Sequence, residues 1–448
     1  MIKSLHIRFL ALALAVFAGA LSCSKVEAPD QPIIDEKDKT ILIYMAANND
    51  LFTDAANNIK RIITGYIPKD DNLLIYSIPI DLDNYSIKDT LPVLVKVGLD
   101  KDNNVALDTV YRFPYQNSAT RTALSRVLNI TKSMFPAKEY GLVMWSHGTG
   151  WLPPLYTMQN TVSSSAVSSS FGSQASFQKE VEKLRKYRQR LYEGITPRKH
   201  TWPSPPGGVD PYAHMVKSFG HESNTEMSIF DLKDAIPEGM FFDFIAFDAC
   251  LMGGIEVLYE LRDNCNYMIF SPAEILTDSF DYSKVVKDFF DKDYAQATYD
   301  IYDYYNKQTG LYHSVTISLF KTAGVEPLAN KAKEIFDAHR AAIQTLDLDL
   351  IQPYFRFNMH WFWDLNDFIK NLATASESAE FESLLNSICI CKYTTGQMID
   401  LEIDPARFSG ISCYINAPID DELDTYYKKY AWEKVANMVA STTETVEE

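Results

Sequence analysis

Apolar and polar positions alternate along the first half of the chain in two distinct patterns. Short, almost continuous apolar runs occur at Lys39–Ala46, Leu73–Ile80, Tyr140–Trp145, Phe244–Phe247 and Tyr267–Phe270. Between them lie stretches whose apolar residues recur every three or four positions: Asp54–Thr64, a segment running from a capping Ser118 through Leu124 and Leu128 to Met134, and Leu251–Leu261. Continuous apolar runs of this length predict strands buried on both faces, and the intervening period predicts the helices that cover them. Val93–Val97 and Val105–Arg112 read as smaller strands. The predicted class is α/β, a mostly parallel sheet flanked by helices. Ligands of such sheets bind beyond the C-terminal ends of the strands.

Two regions depart from this alternation. Residues 149–228 insert about 80 residues between two predicted strands, where connections usually have a median of about 4–6. The insertion holds a serine-rich run, Ser163–Ser170, a basic stretch, Lys179–Arg190, the pair Arg198-Lys199 and a Pro/Gly cluster, Pro203–Gly208. After Tyr282 the character changes. Val285–Tyr305, Val325–Leu346 and Glu422–Val439 read as helices, and Val315–Phe320 and Ile411–Ile415 as strands. This predicts a first domain over 39–282 and an additional C-terminal α/β region over 283–448, packed on it.

The first residues have the order of an export signal. Lys3 and Arg8 precede an apolar core, Phe9–Leu21, which is shorter than the roughly 20 residues of a membrane span. The core ends in Ala20-Leu21-Ser22-Cys23, similar to a bacterial lipobox, with Ala where Leu is commoner. Residues 1–23 are therefore expected to be a lipoprotein signal with Cys23 lipidated, ordinary cleavage being the alternative. Residues 24–38, rich in Pro and charge, read as a tether. The expected location is the bacterial cell envelope, on the periplasmic face or the cell surface.

Composition narrows the partners. The chain is 46% hydrophobic and 23% charged, with a net charge of −17. That balance argues against nucleic-acid binding, which needs clustered cations to displace counterions, and suits cationic partners. Of six cysteines, five lie beyond Cys23, and none forms a CxxC pair. An odd number in an exported chain implies a free thiol. Cys389 and Cys391 alternate with Ile388 and Ile390 and read as small buried hydrophobes.

Candidate chemistry sits at two strand ends. One strand closes in Trp145-Ser146-His147-Gly148-Thr149-Gly150, the next in Asp248-Ala249-Cys250-Leu251-Met252-Gly253-Gly254. A base and a nucleophile at the C-terminal ends of neighbouring strands would emerge on one sheet edge. Gly148 permits a tight turn, and its N–H with that of Cys250 could meet a developing oxyanion. Cys250 at the start of the Leu251–Leu261 helix would gain thiolate character from the helix dipole. Singly, a buried Cys or His is more often packing than chemistry; the pairing at strand ends is what raises the catalytic reading.

Ser146-His147-Gly148 and Phe247-Asp248-Ala249-Cys250-Leu251-Met252-Gly253-Gly254 resemble the clostripain family of cysteine peptidases, which has a caspase-like fold. Further similarity lies in Ile43–Leu51, Ser271–Tyr282, Phe362–Phe368 and Gly410–Tyr414, so the resemblance spans Lys39–Trp432. It implies a cysteine endopeptidase with His147 as general base and acid and Cys250 as nucleophile, acting on protein or peptide substrates. It implies that Asp248 helps form a pocket for Arg or Lys, against the alternative that Asp248 caps the following helix. Ser271–Tyr282 departs from the family's glycine- and acid-rich version, leaving Glu274 or Asp278 as a second acidic wall. The family's zymogens cut themselves between the His and Cys segments. The basic stretch in 149–228 could be that self-substrate, or a solvated lid helix. No cofactor is required by this reading. Calcium is used by some members, but Asp100–Asn104 lacks the central Gly and closing Glu of a calcium loop and reads as a turn. The competing reading is a catalytically silent surface lipoprotein of the same fold that binds peptides or proteins. Oligomeric state is not legible.

Overall fold

The computed structural model describes residues 35–49, 51–154, 219–222, 225–355, 361–417 and 421–439. Its main sheet contains β1 (Lys37–Met45), β2 (Asn72–Ser77), β3 (Val93–Leu99), β4 (Val105–Arg112), β5 (Ala137–Trp145), β6 (Phe242–Asp248), β7 (Cys265–Phe270), β8 (Thr316–Lys321) and β9 (Cys389–Thr394). Across the sheet the order is β9-β8-β7-β6-β5-β1-β2-β3-β4. The five central strands, β2 to β7 through β1, β5 and β6, pair in parallel. The two outer strands on each side are antiparallel.

The burial pattern explains this placement. Successive residues Ile41, Leu42 and Ile43 of β1 and Leu73 and Leu74 of β2 are all essentially inaccessible, as are Leu142 and Val143 of β5. Both strand faces are therefore covered, as a central parallel strand requires. At the edge, β4 leaves Val105 and Leu107 exposed. Gly141 makes a close approach possible: a β-carbon there would lie 2.3 Å from Cε1 of Phe244 on the neighbouring strand.

The α-helices among the described residues are α1 (Phe52–Thr64), α2 (Arg121–Met134), α3 (Ile229–Ala235), α4 (Ile255–Glu260), α5 (Tyr282–Asp291), α6 (Tyr294–Asn306), α7 (Val325–Ile343), α8 (Leu365–Leu372), α9 (Ala375–Ile388), α10 (Asp421–Tyr427) and α11 (Ala431–Ala436). One contiguous group contains α1, α5 and α6; another runs from α2 through α3, α4, α11 and α7 to α8 and α9. The strands of the C-terminal region, β8 and β9, extend the same sheet. Lys37 onward forms one compact unit.

Several elements differ from the sequence reading. Thr120, not Ser118, caps α2, its hydroxyl accepting from Ala123 N at 3.3 Å. Ser118 is buried instead, its hydroxyl 3.1 Å from that of Tyr76. The single helix expected over 285–305 is split, because Lys292 takes a left-handed φ of 62° and Asp293 caps α6. The helix expected over 422–439 is likewise divided into α10 and α11. Within Ile411–Ile415 only Ser412–Cys413 is a strand, paired with Trp363–Asp364.

Candidate active site

On β5 and β6, Trp145 and Asp248 are register partners. His147 and Cys250 each follow two residues beyond this pair, so the chain delivers both to the same sheet edge. Ser146 fixes the level of the first segment: its amide donates to Asp248 O at 3.4 Å and its hydroxyl to Ala46 O at 2.9 Å. His147 and Cys250 line one cleft of about 180 Å3, together with Leu51, Ile275 and Leu276. Gly148 lies against the backbone of Cys250, where a β-carbon would come 2.5 Å from its carbonyl oxygen and 3.2 Å from its nitrogen. Beyond it, Trp151 is fully buried and donates from Nε1 to Trp361 O at 2.9 Å.

Cys250 does not open a helix. Leu251 takes a left-handed φ of 61°. Its amide donates to Ala273 O at 2.8 Å, and that of Gly253 to Ser271 O at 2.8 Å. The Gly253 carbonyl accepts from Ser412 N at 2.8 Å. With these backbone groups committed to neighbouring segments, residues 250–253 stay non-helical and α4 begins only at Ile255, after Gly254. The expected helix-dipole effect on the thiol is therefore absent. A different donor takes its place: Ile275 N–H reaches Cys250 Sγ at 3.3 Å, and Ile275 O lies 3.5 Å from the same sulfur. The amide favours the thiolate and the carbonyl, as acceptor from S–H, the thiol, so Ile275 holds the sulfur in place in both states.

The absence of a helix at Cys250 also removes the capping alternative for Asp248. Its buried carboxylate lines the cleft and accepts from Ser279 Oγ, from Tyr282 OH at 2.8 Å and from Phe280 N at 3.4 Å. Burial pushes the carboxyl up to about 6, opposed by those hydrogen bonds and by the charge of Arg61. Trp145 Nε1 donates to Ser279 Oγ at 3.1 Å, tying the loop to β5. Asp278 also lines the cleft and pairs with Arg61 at 3.2 Å. Glu274 is buried and lies outside the cleft wall.

Ile275, Ser279, Tyr282 and Arg61 were not singled out from sequence. Arg61 and Asp278 are 217 positions apart, and no periodic pattern connects them. Among the described residues, Cys250, Cys265, Cys389, Cys391 and Cys413 are not in disulfides. Burial pushes the Cys389 thiol up to about 11 and those of Cys265 and Cys413 well above the usual range, which suits packing rather than reactivity. Asp100 turns its carboxylate on its own loop, accepting from the amides of Asp102 and Asn104 at 2.8 Å each.

The family model of clostripain matches residues 43–167 and 211–441, well over half of the chain. The chain belongs to the clostripain family of cysteine proteases. Solved structures similar to this clostripain-family protease include an inactive zymogen C11 protease from Parabacteroides distasonis, 25% identical, covering 90% of this chain and 99% of that one with a TM-score of 0.67. A secreted C11 cysteine protease from Bacteroides thetaiotaomicron, in complex with an irreversible peptide inhibitor, is 23% identical over 90% of this chain and 99% of that one, with a TM-score of 0.65. None of the curated proteins is significantly similar to the chain. In this clostripain-family protease, Cys23, the expected signal and residues 24–34 of the tether lie outside the described residues, as do Lys179–Arg190 and Arg198-Lys199, while Lys37 and Asp38, expected in the tether, belong to β1. Among the described residues no helix is long and apolar enough to cross a membrane.

Proposed function

We propose that this clostripain-family cysteine protease is an endopeptidase that hydrolyses peptide bonds through Cys250 and His147, after Arg or Lys. The observation that carries the reading is the equal offset of the two residues beyond the Trp145–Asp248 register pair, with both lining one cleft. His147 takes the proton of the Cys250 thiol, and the sulfur attacks the scissile carbonyl carbon. The N–H groups of Gly148 and Cys250 meet the oxyanion, and the Ile275 amide holds the sulfur in line. His147 then gives its proton to the leaving amine, and an acyl-enzyme remains. Water, deprotonated by His147, hydrolyses it and restores the thiol. Each step is assigned to groups of the protein, with no cofactor.

Preference for a basic side chain is supported by Asp248 and Asp278 in the cleft wall. Glu274, being outside that wall, is a weaker candidate for contact with substrate. Activation by self-cleavage within 149–228 is supported by the basic residues there and by the similarity to a protein described as a zymogen. Export with lipidation at Cys23 is supported by the ordered signal regions and by the Ala20–Cys23 sequence.

The test is hydrolysis of Arg- and Lys-ending reporter peptides by purified protein, with Cys250→Ala as control. Loss of at least about 10⁴-fold in the control is expected, as for removal of other catalytic nucleophiles. No Cys250-dependent cleavage of any peptide would overturn the proposal in favour of a peptide-binding lipoprotein of the same fold. Mass spectrometry of fresh and aged protein tests self-processing, which should cut between 149 and 228 and vanish in Cys250→Ala.

A further inference from the structure

One of the two acidic groups in the cleft wall already holds a cation of the protein itself. Asp278 Oδ1 accepts from Arg61 Nη2 at 3.2 Å, and the Asp278 carbonyl oxygen from Arg61 Nη1 at 2.6 Å. Tyr304 completes the cluster, donating to Asp278 Oδ2 at 2.8 Å and lying 3.2 Å from Arg61 Nη2. The guanidinium also sits 5.2 Å from the centre of the Tyr304 ring. Arg61 lies in the last turn of α1, is only 26% exposed, and is not part of the cleft wall. On Asp248 its charge is the least of the influences that oppose burial. The internal cation is thus paired with Asp278, one of the two carboxylates that face the cleft.

A positively charged substrate side chain entering this cleft must share Asp278 with Arg61 and feel the repulsion of the guanidinium behind it. A neutral side chain of the same shape does not. At a few ångströms and in a partly buried setting, such a charge is not fully screened. We infer that Arg61 is a specificity-determining residue, an internal counter-cation of Asp278 that reduces the advantage of a basic substrate side chain over a neutral one. The inference rests on reading this cleft as the substrate-binding site. Arg61 acts through Asp278, without touching the substrate.

The experiment compares Arg and citrulline at the scissile position of otherwise identical reporters, citrulline being the neutral isostere of Arg. In Arg61→Gln the Arg-to-citrulline ratio of kcat/KM should rise roughly two- to fivefold, the range expected for a partly exposed charge pair, through a lower KM for the Arg reporter. Arg61→Lys, which keeps the charge, should retain the wild-type ratio. An unchanged ratio in Arg61→Gln, or an equal loss on both reporters, overturns the inference in favour of a purely structural role. Arg61→Met is the second variant, should Arg61→Gln fail to fold. It also removes the charge while keeping much of the aliphatic stem, so the ratio should again rise above wild type, and an unchanged ratio again overturns the inference. A wild-type enzyme indifferent between the two reporters would sink the basic preference proposed above, while a raised ratio in Arg61→Gln would still uphold the role of Arg61. A wild-type preference for Arg with an unchanged Arg61→Gln ratio would do the reverse.

Discussion

Gly148 touches the backbone of Cys250 with no room for a side chain between them. A β-carbon at 148 would meet the Cys250 carbonyl oxygen at 2.5 Å and the Ala249 β-carbon at 3.0 Å. Neither backbone can retreat easily. The 148 side continues into the buried Trp151, and the 250 side is stitched to residues 271–273 and 412. The spacing between the base-bearing and nucleophile-bearing segments is thus set by the absence of one carbon.

Gly148→Ala should therefore push the two segments apart by up to about 1 Å. Misplacement on that scale costs about 100-fold in rate. The expected outcome is a kcat lowered by about that factor, with KM for a reporter peptide nearly unchanged. Steady-state kinetics beside a melting curve would separate this from unfolding, and wild-type kcat in a folded variant would contradict it.

The Asp248 carboxyl, raised by burial to about 6, gives a pH dependence with a definite sign. Above that pH the group is ionised and can pair with a substrate cation; below it the group is neutral. KM for an Arg reporter should rise as pH falls through about 6, and KM for the citrulline reporter should not. In Asp248→Asn the difference between the reporters should lose this inflexion. Parallel pH profiles for the two reporters in the wild type would refute the assignment.

Glu256 offers a second titration, away from the cleft. Its Oε1 accepts from Tyr414 N and Tyr427 OH, each at 2.8 Å, while the buried Oε2 has no hydrogen-bond partner among the described residues. Burial pushes this carboxyl up to about 7 from an ordinary 4.5. A folded-state value above the unfolded one gives stability that is fully present below about 4.5 and lost as pH rises through about 7. The wild type should accordingly lose on the order of 3 kcal/mol relative to Glu256→Gln between pH 4.5 and pH 8. Denaturant midpoints at several pH values read this directly, and a constant difference would disprove it.

Trp151 closes the segment that carries His147 into the core. Its ring lies 4.8 Å from that of Tyr414 and 5.2 Å from that of Tyr427, and its carbonyl accepts from Tyr430 OH at 2.7 Å. Trp151→Ala should destabilise the protein by about 3–5 kcal/mol, as other buried large-to-small changes do. Chemical unfolding followed by fluorescence would show the lower midpoint. A shift under about 1 kcal/mol would mean that the cavity collapses around the missing ring.

The apolar runs at 39–46, 73–80, 140–145, 244–247 and 267–270 were legible because burying a strand on both faces demands an unbroken hydrophobic stretch, a purely local signal. The positions of His147 and Cys250 were legible for the same reason, since each directly follows such a run. The helix expected from Leu251 begins only at Ile255, although the apolar spacing suits an earlier start. The amides of Leu251 and Gly253 found carbonyl partners on residues 273 and 271, and that choice depended on tertiary contacts. Likewise, neither the Ile275 amide on the nucleophile nor Arg61 behind Asp278 leaves a trace in composition or period. Local sequence determined which segments are buried and where chemistry-bearing residues follow them. Only the folded chain decided which charges and amides meet around them, because those partners are brought together by contacts spanning up to 217 positions.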